Sequence, residues 1–280
     1  MRTVDHIVTL NRENSGGLVT YGTRGVLGIE LLDPFISLNQ HGPQTFPPNN
    51  HGLPFAPHPH RGFETLTLIF EGDVRHRDTT GGDSVIGPGG IQWMTAGRGI
   101  IHEEISSDQF MRDGGVLDII QIWMNLPAAQ KAIPAAYYGL QKPDIPAVAQ
   151  DGGKVSLNLF SGAWNGISGP VPSPTGLFMV SLDMAAGGTW RTEVPEARTI
   201  LCYVAAGAVR INGHDAPAHS LAIFARDGTE VAIEAGEDAI VVFGHGTPYG
   251  ERIVGYGPFV MNSEDEIRQA IVDYQSGRFL

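Results

Sequence analysis

The chain has 280 residues, enough to bury two ordinary cores. Its 18 Lys and Arg against 30 Asp and Glu leave a formal charge of −12, which argues against the clustered basic surface that nucleic-acid binding needs. With 37 glycines, 19 prolines and 17% charged residues, the composition suits many short strands joined by tight turns, and two domains are expected.

The opening Met1-Arg2-Thr3-Val4-Asp5-His6 lacks a charged region followed by a long apolar run, and no later stretch approaches the roughly 20 apolar residues of a membrane span. A cytoplasmic chain is expected. Cys202 is the single cysteine, so no internal disulfide can form, and its neighbours Leu201 and Val204 mark a core position.

Residues 25–29 read as an early strand, followed by a loop rich in Asn, Gln, Gly and Pro up to residue 50. Residues 65–71 form a β-rich run ended by the turn signal Gly72-Asp73. Turns at Gly81-Gly82-Asp83 and Gly87-Pro88-Gly89-Gly90 predict hairpins over residues 74–94. Residues 117–124 predict another strand, with Ile119, Gln121 and Trp123 on one face and Gln121 able to reach a pocket.

Pro127 permits a short helical turn that Pro134 would end. Residues 134–150 carry three prolines and read as a linker, which divides the chain into 1–133 and 151–280. The second half repeats the strand-and-turn grammar at 177–182, 200–204, 209–211, 221–224 and 240–243. At the end, Ser263-Glu264-Asp265-Glu266 is a capping box, and Ile267, Ala270, Ile271 and Tyr274 form an apolar stripe. That stripe is expected to dock on the first domain.

The chemistry concentrates between residues 58 and 104. His58-Pro59-His60-Arg61-Gly62-Phe63-Glu64 opens the stretch and Gly97-Arg98-Gly99-Ile100-Ile101-His102-Glu103-Glu104 closes it. In an extended strand, alternate side chains share a face, so His58 projects with His60 and His102 with Glu104. Two such pairs on neighbouring strands make a four-ligand pocket. Three neutral imidazoles and one carboxylate suit iron, manganese, nickel or copper better than a closed structural zinc. Other histidines read more plainly: His76, within Arg75-His76-Arg77-Asp78, as part of a solvated strand edge, and His6, His41 and His51 as hydrogen-bonded or exposed groups. Trp93 and Trp123 read as core or pocket wall. Arg98 reads equally as an anion contact or as a loop pin.

Gly52, His58-x-His60, Glu64 and Gly72 resemble the first metal motif of the cupins, and Gly82, Pro88 and Gly90 the second. The wording of residues 58–64 and 92–102, together with Gly257-Pro258-Phe259-Val260-Met261-Asn262, is similar to the narrower pirin family. The resemblance implies an all-β bicupin: two antiparallel jelly-roll barrels face to face, with a C-terminal helix and one metal in the N-terminal barrel. It implies His58, His60, His102 and Glu104 as ligands. His102 follows Gly90 much later than in an ordinary cupin, and the carboxylate ligand moves from the position of Glu64 to that of Glu104. Glu64 is then expected beside the ligands, orienting a histidine or accepting a proton. The second barrel has no HxH and is expected to be structural.

Iron is the expected metal, with manganese, nickel, copper, cobalt and zinc as alternatives for the same donors. The resemblance further implies a dioxygenase that opens a flavonol such as quercetin with O2 and releases carbon monoxide, Glu104 or Glu64 taking the hydroxyl proton. The alternative is an iron-containing, redox-sensitive regulatory protein that binds a transcription factor or metabolic enzyme. A monomer is expected, with no direct contact to nucleic acid or membrane.

Overall fold

The computed structural model describes residues 1–24, 26–28 and 31–279. Its regular structure is almost wholly antiparallel strands, and they gather into two compact units. One unit comprises residues 1–11, 32–34 and 143–248; the other comprises 12–31, 35–142 and 249–280.

The unit with the histidine motif holds a seven-stranded and a four-stranded sheet. In the larger one, Phe63–Glu71 and Gly115–Asn125 lie at the centre, flanked by Ile91–Thr95 and Phe35–Phe46. Phe63–Glu71 is buried on both faces over most of its length, as its unbroken apolar and threonine run requires. The smaller sheet orders Phe55–His60, Ile100–Ile105, Val74–Asp78 and Asp83–Ile86. Leu53, Ile69, Val74, Ile86, Phe110, Leu117 and Ile119 form a core here. The other unit repeats the plan with a seven-stranded and a four-stranded sheet around a larger apolar core that includes Cys202, Trp190 and Phe243.

The strands expected around residues 65–71, 117–124, 177–182, 200–204, 209–211, 221–224 and 240–243 are all present, mostly longer by one to three residues at their ends. The strand expected over 25–29 has both ends outside the described residues, and Val26 to Gly28 between them form none. The segment 134–150 corrects the linker reading. It contains Ala136–Leu140, which pairs with Ile91–Thr95, and Ala147–Gln150, which pairs with Val155–Ser161. Each is an outermost strand of its sheet, where a neighbouring proline costs no ladder hydrogen bond.

Nor do the two units divide the chain at one point. Val4–Thr9 is a strand of the unit formed mainly by the second half, paired with Ser220–Phe224. The C-terminal segment belongs to the unit that holds the histidines.

The helix Glu264–Gln275 starts at Ser263, whose hydroxyl accepts from Glu266 N as the capping box predicts. Its buried face carries Ile267 and Ala270 against Phe259, Met261 and Phe279. The stripe departs from expectation at its end. Tyr274 is exposed and Asp273 is buried, because Asp273 pairs with Arg61 and Arg278. Among the described residues, no helix is long and apolar enough to cross a membrane.

Candidate metal centre

Two antiparallel strands bring the histidines together. Phe55–His60 pairs with Ile100–Ile105 so that His102 faces His58, and alternation puts His60 on the same side as His58. One ring nitrogen from each of His58, His60 and His102 lies within 4.8 Å of the other two. Ring centroids are 4.4 to 4.9 Å apart. His60 and His102 are buried, and His58 is partly so.

Second contacts decide which nitrogen each ring offers. His58 Nδ1 donates to the Ala56 carbonyl at 2.8 Å, and His60 Nδ1 to the Pro258 carbonyl at 3.2 Å. A carbonyl only accepts, so both rings carry the proton on Nδ1 and keep a lone pair on Nε2. His102 Nε2 is buried with no hydrogen-bond partner among the described residues. Burial, with the neighbouring imidazoles, pushes His60 and His102 well below the usual histidine pKa, so both are neutral. Buried neutral imidazoles that converge on one point fit a divalent first-row metal.

Glu104 lies on the same strand face as His102 but outside that group of converging nitrogens. A bulge between His102 and Glu104 shifts the register against Phe55–His60. The carboxylate accepts from Thr67 Oγ1 at 3.0 Å and from Gln121 Nε2 at 2.7 Å. Gln121 therefore points where its strand parity predicts. Trp123 forms a wall, edge-on to His60 at 5.2 Å and against Phe63 at 4.4 Å.

Glu64 is placed differently from expectation. Thr65 and Thr67 pair with Trp123 and Gln121 on the histidine side, so Glu64 occupies the opposite face of its strand. There it accepts from Thr95 Oγ1 at 2.6 Å and Trp93 Nε1 at 3.1 Å, and burial outweighs those bonds to raise its pKa. The role as proton acceptor beside the ligands is corrected on this ground. Even spacing from His60 suggests a shared face, but Gly62, at φ +89°, turns the chain between them and resets the alternation.

His76 is also corrected. It is 1% exposed, its Nε2 lies 2.7 Å from Asp78 Oδ2, its Nδ1 lies 3.5 Å from His102 Nδ1, and its ring stacks on Tyr137 at 3.8 Å. Alternation was the available signal: Arg75 and Arg77 bind Asp83 and Glu103 at the surface while Val74 and His76 turn inward. His41 is buried, hydrogen-bonded to Thr20 Oγ1 at 2.9 Å, and lowered to about 4 by burial. Arg98 is exposed, and its carbonyl accepts from Arg61 Nε at 2.7 Å.

The C-terminal motif closes on the same loop. Arg61 pairs with Asp273 at 2.7 Å and lies 4.4 Å over the Phe279 ring, next to the His60 bond to Pro258.

Comparison with known proteins matches this architecture. The pirin family model matches residues 19–124, and the model of the pirin C-terminal cupin domain matches residues 179–280. A Pseudomonas aeruginosa protein whose name provisionally assigns it quercetin 2,3-dioxygenase activity is 37% identical over 263 residues, covering 94% of this chain and 91% of its own. A pirin-like protein of Caulobacter vibrioides is 38% identical over 252 residues, covering 89% and 88%. A crystal structure described as quercetin 2,3-dioxygenase from Acinetobacter baumannii superposes with a TM-score of 0.91 at 34% identity, covering 100% of this chain and 98% of that one. With its antiparallel sheets repeated in two units, the chain is a bicupin and belongs to the pirin family.

Proposed function

We propose that this protein is a metal-dependent dioxygenase of the pirin type that opens a flavonol such as quercetin with O2. The observation that carries the proposal is the convergence of three imidazoles, two of them buried, within 4.8 Å beside a carboxylate held by Thr67 and Gln121. Supporting it are the relatives of about the same length whose names or descriptions assign that activity.

His58, His60 and His102 would hold the metal, with iron the expected ion and Glu104 completing the ligand set. Bound there, a divalent metal supplies Lewis acidity and one-electron chemistry. The chain's own residues do the rest. Each Glu104 oxygen keeps a lone pair beyond the bond it already accepts, so one can ligate while the other takes the substrate's hydroxyl proton. Thr67 and Gln121 hold that carboxylate in one orientation. Trp123, backed by the fully buried Phe63, gives the flat substrate an apolar surface beside His60 and keeps water from that side.

The test is oxygen uptake with quercetin by anaerobically iron-loaded protein, with metal content measured and a His60→Ala variant as control. Uptake that needs both iron and His60 supports the reading. Protein that holds its metal and consumes no oxygen overturns it and moves the assignment to the regulatory alternative.

A further inference from the structure

We propose that His76 is a positioning residue for His102: the chain Asp78, His76, His102 selects the nitrogen that His102 presents to the metal. This rests on the reading of His58, His60 and His102 as a metal site.

His58 and His60 have their Nδ1 protons fixed by backbone carbonyls, which can only accept. His102 Nδ1 instead meets Nδ1 of a second imidazole, His76, at 3.5 Å. Two imidazole nitrogens can pair only when one carries a proton and the other does not. Asp78 settles which. Its Oδ1 accepts from Thr80 N at 2.7 Å, Thr80 Oγ1 at 2.6 Å and Gly82 N at 3.2 Å, and its Oδ2 faces His76 Nε2 at 2.7 Å. Burial would raise its pKa, but the bonds from His76, Thr80 and Gly82 outweigh burial and hold the carboxyl below the usual range. An ionised carboxylate only accepts, so His76 carries its proton on Nε2.

In a neutral His76 ring Nδ1 is then a lone pair, His102 Nδ1 must donate to it, and His102 Nε2 is left free. Nε2 is the buried nitrogen that lacks a partner among the described residues. Tyr137 fixes the His76 ring: it stacks on that ring at 5°, and its hydroxyl bonds Ser84 Oγ at 2.7 Å. The arrangement extends the usual support of a ligating histidine by one ring, with the carboxylate's charge reaching His102 through His76.

Asp78→Asn tests this with almost no change of shape. The amide oxygen can keep the bonds from Thr80 and Gly82, which turns the NH2 group toward His76 Nε2. His76 must then move its proton to Nδ1, and His102 must move its own to Nε2, the atom meant for the metal. Co(II) binding would be measured by chelator competition, with the visible spectrum of the Co(II) protein. Circular dichroism and thermal melting of the apo forms would check folding.

Asp78→Asn is expected to bind Co(II) about 10 to 100 times more weakly than wild type, with an altered Co(II) spectrum and an intact apo fold. His76→Phe, which keeps the stack on Tyr137 but has no nitrogen, is expected to lose less, because His102 is then free to choose its tautomer. Wild-type affinity and spectrum in Asp78→Asn would overturn the inference. If Asp78→Asn does not fold, His76→Phe decides alone, an unchanged affinity and spectrum overturning the inference and a weakened one supporting it. Failure of the wild-type protein itself to bind Co(II) overturns the metal-site reading, and this inference with it.

Discussion

Gln121 donates from Nε2 to Glu104 Oε2 at 2.7 Å, while its own oxygen accepts from the Trp123 indole N–H at 3.0 Å. The indole can only donate, so it fixes which end of the Gln121 amide faces Glu104. Trp123→Phe keeps the aromatic wall but frees the amide to flip. The expected result is metal content near that of wild type with turnover lowered about tenfold, the lower end of what outer partners of metal ligands contribute. Metal analysis alongside oxygen uptake checks it, and equal turnover per bound metal would refute the orienting role of Trp123.

Lys131 ties the turn after His60 to the C-terminal motif. Its buried ammonium donates to the Gly62 carbonyl at 2.7 Å, the Val260 carbonyl at 3.0 Å and Asn125 Oδ1 at 2.7 Å. Lys131→Met would leave buried acceptors unpaired, each costing about 1 to 3 kcal/mol. A lower urea midpoint is expected, with weaker metal retention because Gly62 follows the His60-Arg61 step. A midpoint within error of wild type would count against the tie.

Gly62 itself admits no side chain. Its φ is +89°, and a Cβ there would lie 2.1 Å from the Val260 carbonyl oxygen. Gly62→Ala is expected to cost at least the roughly 1 to 3 kcal/mol of a strained backbone position, read as a lowered melting temperature. Gly81→Ala, also at positive φ but with nothing within 4 Å of the added Cβ, is the control for strain alone and should cost less.

Asp118 makes stability depend on pH. Burial raises its pKa to about 6, the nearby Glu71 adds to this, and the Gln40 Nε2 bond at 2.9 Å opposes it. The folded protein therefore keeps this proton to a higher pH than the unfolded chain, whose aspartates titrate near roughly 3.9. Where the folded state binds more protons, stability falls as pH rises, here between about 4 and about 6. Asp118→Asn should gain stability relative to wild type at pH 8 and show little gain at pH 4. Urea melts at the two values test it, and an equal difference at both would exclude the assignment.

Cys202 is fully buried and its thiol pKa is pushed up by burial. A thiol that ionises so poorly is a weak nucleophile. A chromogenic disulfide reagent should leave the native protein unlabelled and label one thiol in denaturant; fast labelling under native conditions would instead expose Cys202 as a reactive site.

Much of the candidate site was legible because it is local. His58 and His60 sit two residues apart in a strand, as do His102 and Glu104, and a period of two needs no knowledge of the fold. Gln121 was legible for the same reason. The C-terminal helix was too, since a capping box and a helical stripe lie within a dozen residues.

What failed lay where that period breaks or where partners come from far along the chain. Glu64 has the right spacing from His60, yet the positive φ of Gly62 intervenes and turns it to the other face. His76 hides between two arginines: alternation with Val74 marks an inward side, but only the neighbouring strand shows that it faces His102. The sequence by itself determined the strand-rich class, the histidine pairs and the final helix, because each rests on backbone geometry and polarity over a few residues. Only the tertiary structure decided that Pro258 orients His60, that Asp78 and His76 support His102, and that Val4–Thr9 pairs with Ser220–Phe224. Apart from the Asp78–His76 pair within one strand, those contacts join residues distant in sequence, and no local pattern carries the distance between them.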